Sequence, residues 1–129
     1  MQYSPPMKLY KNHSKPDRLI LNQRTKSYIP ISYIMLLKGN ANYTTFILSD
    51  GREKVVAHPL KYFESFLQTC GFQRVHRASM INPNYIKSFD EQSNIITMKN
   101  QMSVQISRRR RDNFMSELRE KSIISEEQK

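Results

Sequence analysis

Asp50-Gly51 stands between two β-rich runs, YTTFILS at residues 43–49 and REKVVA at residues 52–57. A tight reversal between strands needs backbone at positive φ, which glycine tolerates without steric cost. The pair therefore predicts a β-hairpin and sets the pattern for the runs around it. Upstream lie RLILN at residues 18–22 and YIPI at residues 28–31, where Pro30 marks an edge strand. IMLL at residues 34–37 is continuously apolar, as a buried strand is, and KGNAN at residues 38–42 has the composition of a loop.

The period changes after His58-Pro59. Proline suits a first helical turn, where its missing N–H costs nothing. Leu60, Phe63, Phe66 and Leu67 then make one apolar stripe, with Lys61 and Glu64 paired on the outer face. Gly71 stops this helix, and Phe72 packs back on it. A strand through Val75 leads to a polar bend at His76 and Arg77. A second run at Met80-Ile81 ends in the turn Asn82-Pro83-Asn84. Short strands follow at residues 86–89, 95–98 and 102–106, the last alternating Met102, Val104 and Ile106 with Ser103 and Gln105. A final helix runs from Arg109 to about Lys121, with Ser107 as its N-cap and Phe114, Met115 and Leu118 as its apolar face. The expected fold is mainly β: antiparallel sheets of short strands, one short internal helix and a C-terminal helix. Residues 1–17 carry three prolines and read as a flexible arm, residues 18–121 as one folded unit, and residues 122–129 as a polar tail.

A chain of 129 residues buries one core without metals or disulfides, and its single cysteine, Cys70, makes no internal bridge. No apolar run reaches membrane length and no signal-peptide core opens the chain, so a cytoplasmic protein without a membrane partner is expected. The net charge of +10 points to a polyanionic partner, nucleic acid first.

Catalysis finds little support. His13, His58 and His76 are far apart and have no partner at metal-ligand spacing, Cys70 has no activating neighbour, and three glycines do not build a phosphate loop. No cofactor or metal is expected. Three places suit nucleic acid instead. Arg77 sits at the tip of a connection anchored on both sides, with Ser79 beside it. Asn40 and Asn42 carry amides able to bond adenine edges, and Tyr43 adds a ring with a hydroxyl, although an aromatic at the head of a strand is more often core. Arg108, Arg109, Arg110 and Arg111 straddle a helix start, where cations are disfavoured by about 0.3–1 kcal/mol each and a phosphate would be welcome. Arg108 is expected to reach a groove, and Arg109, Arg110 and Arg111 to serve phosphates or solvent.

These places coincide with the motifs of a known family. Gly71, Phe72, Arg74, His76, Arg77, Ile81 and Asn82 resemble the central motif of LytTR-type bacterial DNA-binding domains, with Ala78 in place of the usual serine. Tyr43, Thr44, Asp50 and Gly51 resemble its strand–loop–strand stretch, and Ser107-Arg108-Arg109 its closing motif, so the likeness spans residues 18–119. It departs at Leu36-Leu37, where an acidic residue is common, and at Gln101, where a turn glycine is frequent. The resemblance implies a stand-alone transcriptional regulator whose loops enter successive major grooves of a direct-repeat site in double-stranded DNA. By position it assigns contacts to Tyr43, Arg77 and Arg108. Relatives often follow a phosphoacceptor module, whereas residues 1–17 are only a polar stretch; a separate sensor or regulatory protein and a dimer on paired repeats both stay open. Two other classes are an RNA-binding protein and a protein-interaction module. RNA binders present aromatics on an open sheet face, whereas Phe46, Tyr62, Phe63 and Phe66 fall at core positions.

Overall fold

The computed structural model describes residues 17–127, with side chains through residue 120. Its elements run β1 (Arg18–Asn22), β2 (Ser27–Pro30), a 3-10 turn (Ile31–Tyr33), β3 (Ile34–Asn40), β4 (Tyr43–Leu48), β5 (Glu53–Val56) and α1 (Leu60–Thr69). They continue through β6 (Gln73–His76), β7 (Ser79–Ile81), a second 3-10 turn (Pro83–Tyr85), β8 (Ile86–Asp90), β9 (Ile95–Met98), β10 (Ser103–Gln105) and α2 (Arg108–Glu127). The central sheet has the order β5-β4-β3-β7-β6; β1-β2 and β10-β9-β8 form two smaller sheets. Every strand pair is antiparallel. The fold is mainly β, as the strand and turn spacing predicts.

The continuous apolar run of β3 has a specific cause. Ile34 and Leu37 join a core with Phe46, Phe63, Leu67 and Met80 under α1. Met35 and Leu36 join a second core with Val75, Ile96, Val104 and Phe114 under α2 and the three-stranded sheet. The register shifts between Ile34 and Leu36, so two adjacent residues share one face. A strand covered on both sides has no polar face, and a period of two is lost.

Turn chemistry also follows the residues. Gly51 stands at φ 94 in a three-residue turn, in which its N–H donates to the Leu48 carbonyl (2.9 Å) and the Leu48 N–H to the Arg52 carbonyl (2.9 Å). The β9–β10 turn repeats both bonds between Met98, Gln101 and Met102, but there Gln101 occupies the left-handed position at φ 74. At the end of α1, Gly71 (φ 95) donates to Gln68 and Phe72 donates back to Leu67 at 3.0 Å, while the Phe72 ring enters the same core as Leu67.

Four expectations change. The stretch 38–42 is not all loop: β3 continues to Asn40, because Lys38 and Gly39 pair with Thr45 and Thr44, and only Ala41 and Asn42 turn. The last helix reaches Glu127 instead of stopping about Lys121, since residues 122–127 contain neither glycine nor proline. Tyr62 is not core: it is 38% exposed and stacks on His58 with ring centroids 4.0 Å apart. Glu64 pairs with Arg74 at 2.5 Å, not with Lys61. Of the proposed arm, residues 1–16 lie outside the described residues, as do residues 128–129 of the tail.

Candidate nucleic-acid interface

Strand direction brings the three candidate loops to one end of the central sheet. β3 and β4 meet in a two-residue turn, with Asn40 opposite Tyr43 and Ala41 at φ 54. β7 runs antiparallel to β3 with Ser79 opposite Lys38, which puts the Arg77-Ala78 turn beside that hairpin tip. The Gly39 N–H donates to the Ala78 carbonyl (2.9 Å) and ties the two. The Ser107 N–H donates to the Val75 carbonyl (2.8 Å), so α2 begins next to the end of β6. A cleft of about 390 Å³ lies between the first two loops, lined by Asn40, Ala41, Lys61, Arg74 and Arg77 among others.

The exposed tips suit contact. Asn40, Asn42, Arg77, Arg108 and Arg109 are exposed. Tyr43 is 53% exposed, so its ring faces solvent and not the core. Ser79 differs: it is 7% exposed, held in β7 behind the loop and not at its tip. The arginine block also divides. Arg111 folds back on the domain, donating to the Asn94 side-chain oxygen (2.8 Å) with its guanidinium 6.0 Å from the Phe89 ring. Ser107 caps α2 as expected, its hydroxyl accepting from the Arg110 N–H at 3.3 Å.

Sequence reading missed the residues that hold Arg77 in place. The Arg74 side chain is 10% exposed and lies under the turn. It donates from Nε to the His76 carbonyl (2.9 Å), from one terminal nitrogen to Glu64 on α1 (2.5 Å), and from the other to the Arg77 carbonyl (2.5 Å). Burial pulls the Arg74 guanidinium below its ordinary range; Glu64 opposes this, and the charge of Arg110 adds to it. His76 Nδ1 accepts from the Ala78 N–H (3.1 Å), which closes the turn from inside. A bound arginine and a surface arginine look alike in a sequence. The Arg-x-His-Arg spacing is their one shared signal, because alternate residues of a short strand point back toward the helix that precedes it.

Gly39 was equally silent. A Cβ there would sit 3.0 Å from the Leu60 Cβ, so glycine lets the start of α1 close on β3. Thr44 reinforces the same corner, its hydroxyl donating to the His58 carbonyl at 2.7 Å. Among the described residues no cluster of three or more His, Cys, Asp or Glu could hold a metal, and no helix is long and apolar enough to cross a membrane.

A β scaffold that holds three polar and basic loops at one end has the features of a nucleic-acid-binding domain. Known proteins agree. The model of the LytTr DNA-binding domain family matches residues 25–119, and the chain belongs to that family. The sensory transduction protein LytR of Staphylococcus saprophyticus is 36% identical over 55 residues, a match covering 40% of this chain and 22% of that protein. A solved LytTr DNA-binding domain from Bacillus cereus shares the fold, with a TM-score of 0.66 at 24% identity over 80% of this chain and 97% of that one. The chain thus carries a DNA-binding domain.

Proposed function

We propose that this protein is a sequence-specific, double-stranded-DNA-binding transcriptional regulator of the bacterial cytoplasm. Its three loops enter successive major grooves of a direct-repeat site. The observation that carries this reading is the convergence of the hairpin tip, the Arg77 turn and the start of α2 on one end of the sheet, tied by the Gly39–Ala78 and Ser107–Val75 bonds. Arg77 takes the paired acceptors of a guanine, Asn40, Asn42 and Tyr43 read a neighbouring groove, and Arg108 reads the third. Arg109 and Arg110 contact phosphates. Paired repeats would seat two copies of the chain, and a separate sensor protein would set its activity, in keeping with the sensory transduction role of the staphylococcal relative.

The test is selection of binding sites from random duplex DNA, followed by anisotropy with the selected duplex, a scrambled duplex and the same sequence as RNA. Arg77→Ala is expected to lose about 1–3 kcal/mol on the selected duplex and little on the scrambled one. Equal loss on both would assign Arg77 to the phosphate backbone. Preference for RNA would overturn the function.

A further inference from the structure

Adjoining the start of α2, a second cleft of about 660 Å³ opens between the end of α1, the strand β6 and one face of α2. β6 is the edge strand of the central sheet on this side, and α2 meets it at Val75, whose carbonyl accepts from the Ser107 N–H. The cleft touches Phe72 and Phe114, both nearly fully buried, which gives it an apolar base. On the α2 side its polar lining is ordered by sign. Arg109 and Arg110 stand at one end of the α2 face and Glu117 and Glu120 at the other, with Asn113 between them. Glu117 lies seven positions along the helix from Arg110, about 10 Å along the axis. That gap is too long for the two side chains to pair within the helix, so each end of the cleft keeps its own sign.

Gln73 adds an independent mark. It lines the same cleft, is 7% exposed, and its side-chain oxygen has no hydrogen-bond partner among the described residues. A buried amide oxygen left unpaired costs about 1–3 kcal/mol, so a donor supplied from outside would be stabilising. Burial disfavours the Arg74 cation at the arginine end and the charge of Arg110 adds to this, so an anion there would offset part of the repulsion.

We infer that this cleft is a binding site for a short zwitterionic peptide lying extended along the α2 face. The peptide's carboxylate sits at Arg109 and Arg110, its ammonium at Glu117 and Glu120, and a backbone N–H reaches Gln73. An extended chain advances about 3.3–3.6 Å per residue, so about three residues span the two charged ends. Occupation withdraws Arg109 and Arg110 from DNA phosphates and lowers affinity for duplex; this second half rests on the DNA reading above.

The experiment uses the full chain and tri-alanine as the probe, at constant ionic strength, with side-chain amide NMR and calorimetry as readouts. Saturable binding is expected, with the Gln73 and Asn113 amide signals moving together. Tri-alanine blocked at either end should bind about tenfold weaker, the loss of one charge-assisted contact. Arg110→Gln and Glu117→Gln should each do the same to the free peptide, while Lys54→Gln on β5 changes nothing. Blocked peptides binding as well as the free one, or shifts that miss Gln73, would overturn the site, and both are read on unsubstituted protein. In the DNA arm, tri-alanine is added to a preformed duplex complex. Unchanged DNA affinity with the cleft filled would overturn the competition, whereas a chain that binds no duplex before peptide is added would count against the DNA reading instead.

Discussion

Replacing Arg74 by methionine keeps the length of the side chain and removes all three of its donors. Glu64 then loses its cation while its side chain is only 23% exposed. Breaking a buried ion pair from one side costs about 3–5 kcal/mol, and the residual water contact of Glu64 puts this pair at the low end. The two carbonyls add less, because the exposed turn lets water replace a lost donor. A total near 3 kcal/mol follows, which lowers the melting temperature of a domain this size by roughly 10 °C or more. The functional effect is separate. Arg77 keeps its charge but loses its fixed support, so discrimination between selected and scrambled duplex falls while affinity for scrambled duplex holds. Thermal unfolding and anisotropy at low temperature read the two effects independently. Glu64→Gln combined with Arg74→Met should cost less than the sum of the single changes by about 1 kcal/mol or more. Arg74→Lys should not restore discrimination, because one ammonium cannot span three directions. A melting temperature within a degree or two of the parent, with sequence preference unchanged, would refute the supporting role.

The arginine block should behave as two parts. Arg109→Gln with Arg110→Gln should reduce the slope of log affinity against log salt by about 1.8 and leave base preference alone, whereas Arg111→Gln should spare the slope and lower the melting temperature through loss of its bond to Asn94. Gln101→Gly relieves a left-handed residue and should stabilise the domain by about 0.5–1 kcal/mol in denaturant unfolding, less whatever the exposed Lys87 contact at 3.3 Å supplies. Gly39→Ala should destabilise by about 1–3 kcal/mol, because Leu60 at the start of α1 must give by a few tenths of an ångström; an unchanged denaturation midpoint would mean that Leu60 yields freely.

Much of the scaffold was written locally. The Asp-Gly pair gave the β4–β5 hairpin, Pro59 and the stripe from Leu60 to Leu67 gave α1, and the alternation through Val104 gave β10. The exposed arginines and the asparagine tip were legible because charge and turn residues at strand ends have few structural uses. What stayed hidden depended on neighbours far away in the chain. Arg74 needs Glu64 ten residues before it, Gly39 needs Leu60, and Arg111 needs Asn94. Tyr62 was misplaced for a related reason, and the same ambiguity left Tyr43 between contact and core until its ring proved exposed. Nothing within a short β-rich or helical run says whether an aromatic at its margin meets the core or the solvent.

β3 belongs to both cores, and this decides how the domain comes apart. Either layer alone could in principle melt and leave the other standing. Ile34 and Leu37 anchor one, Met35 and Leu36 the other, on the same seven-residue strand. Losing either layer strips one whole face of that strand, and the strand carries the hairpin tip at its end. The halves therefore behave as one cooperative folding unit, in which the relative positions of the reading loops survive or vanish together.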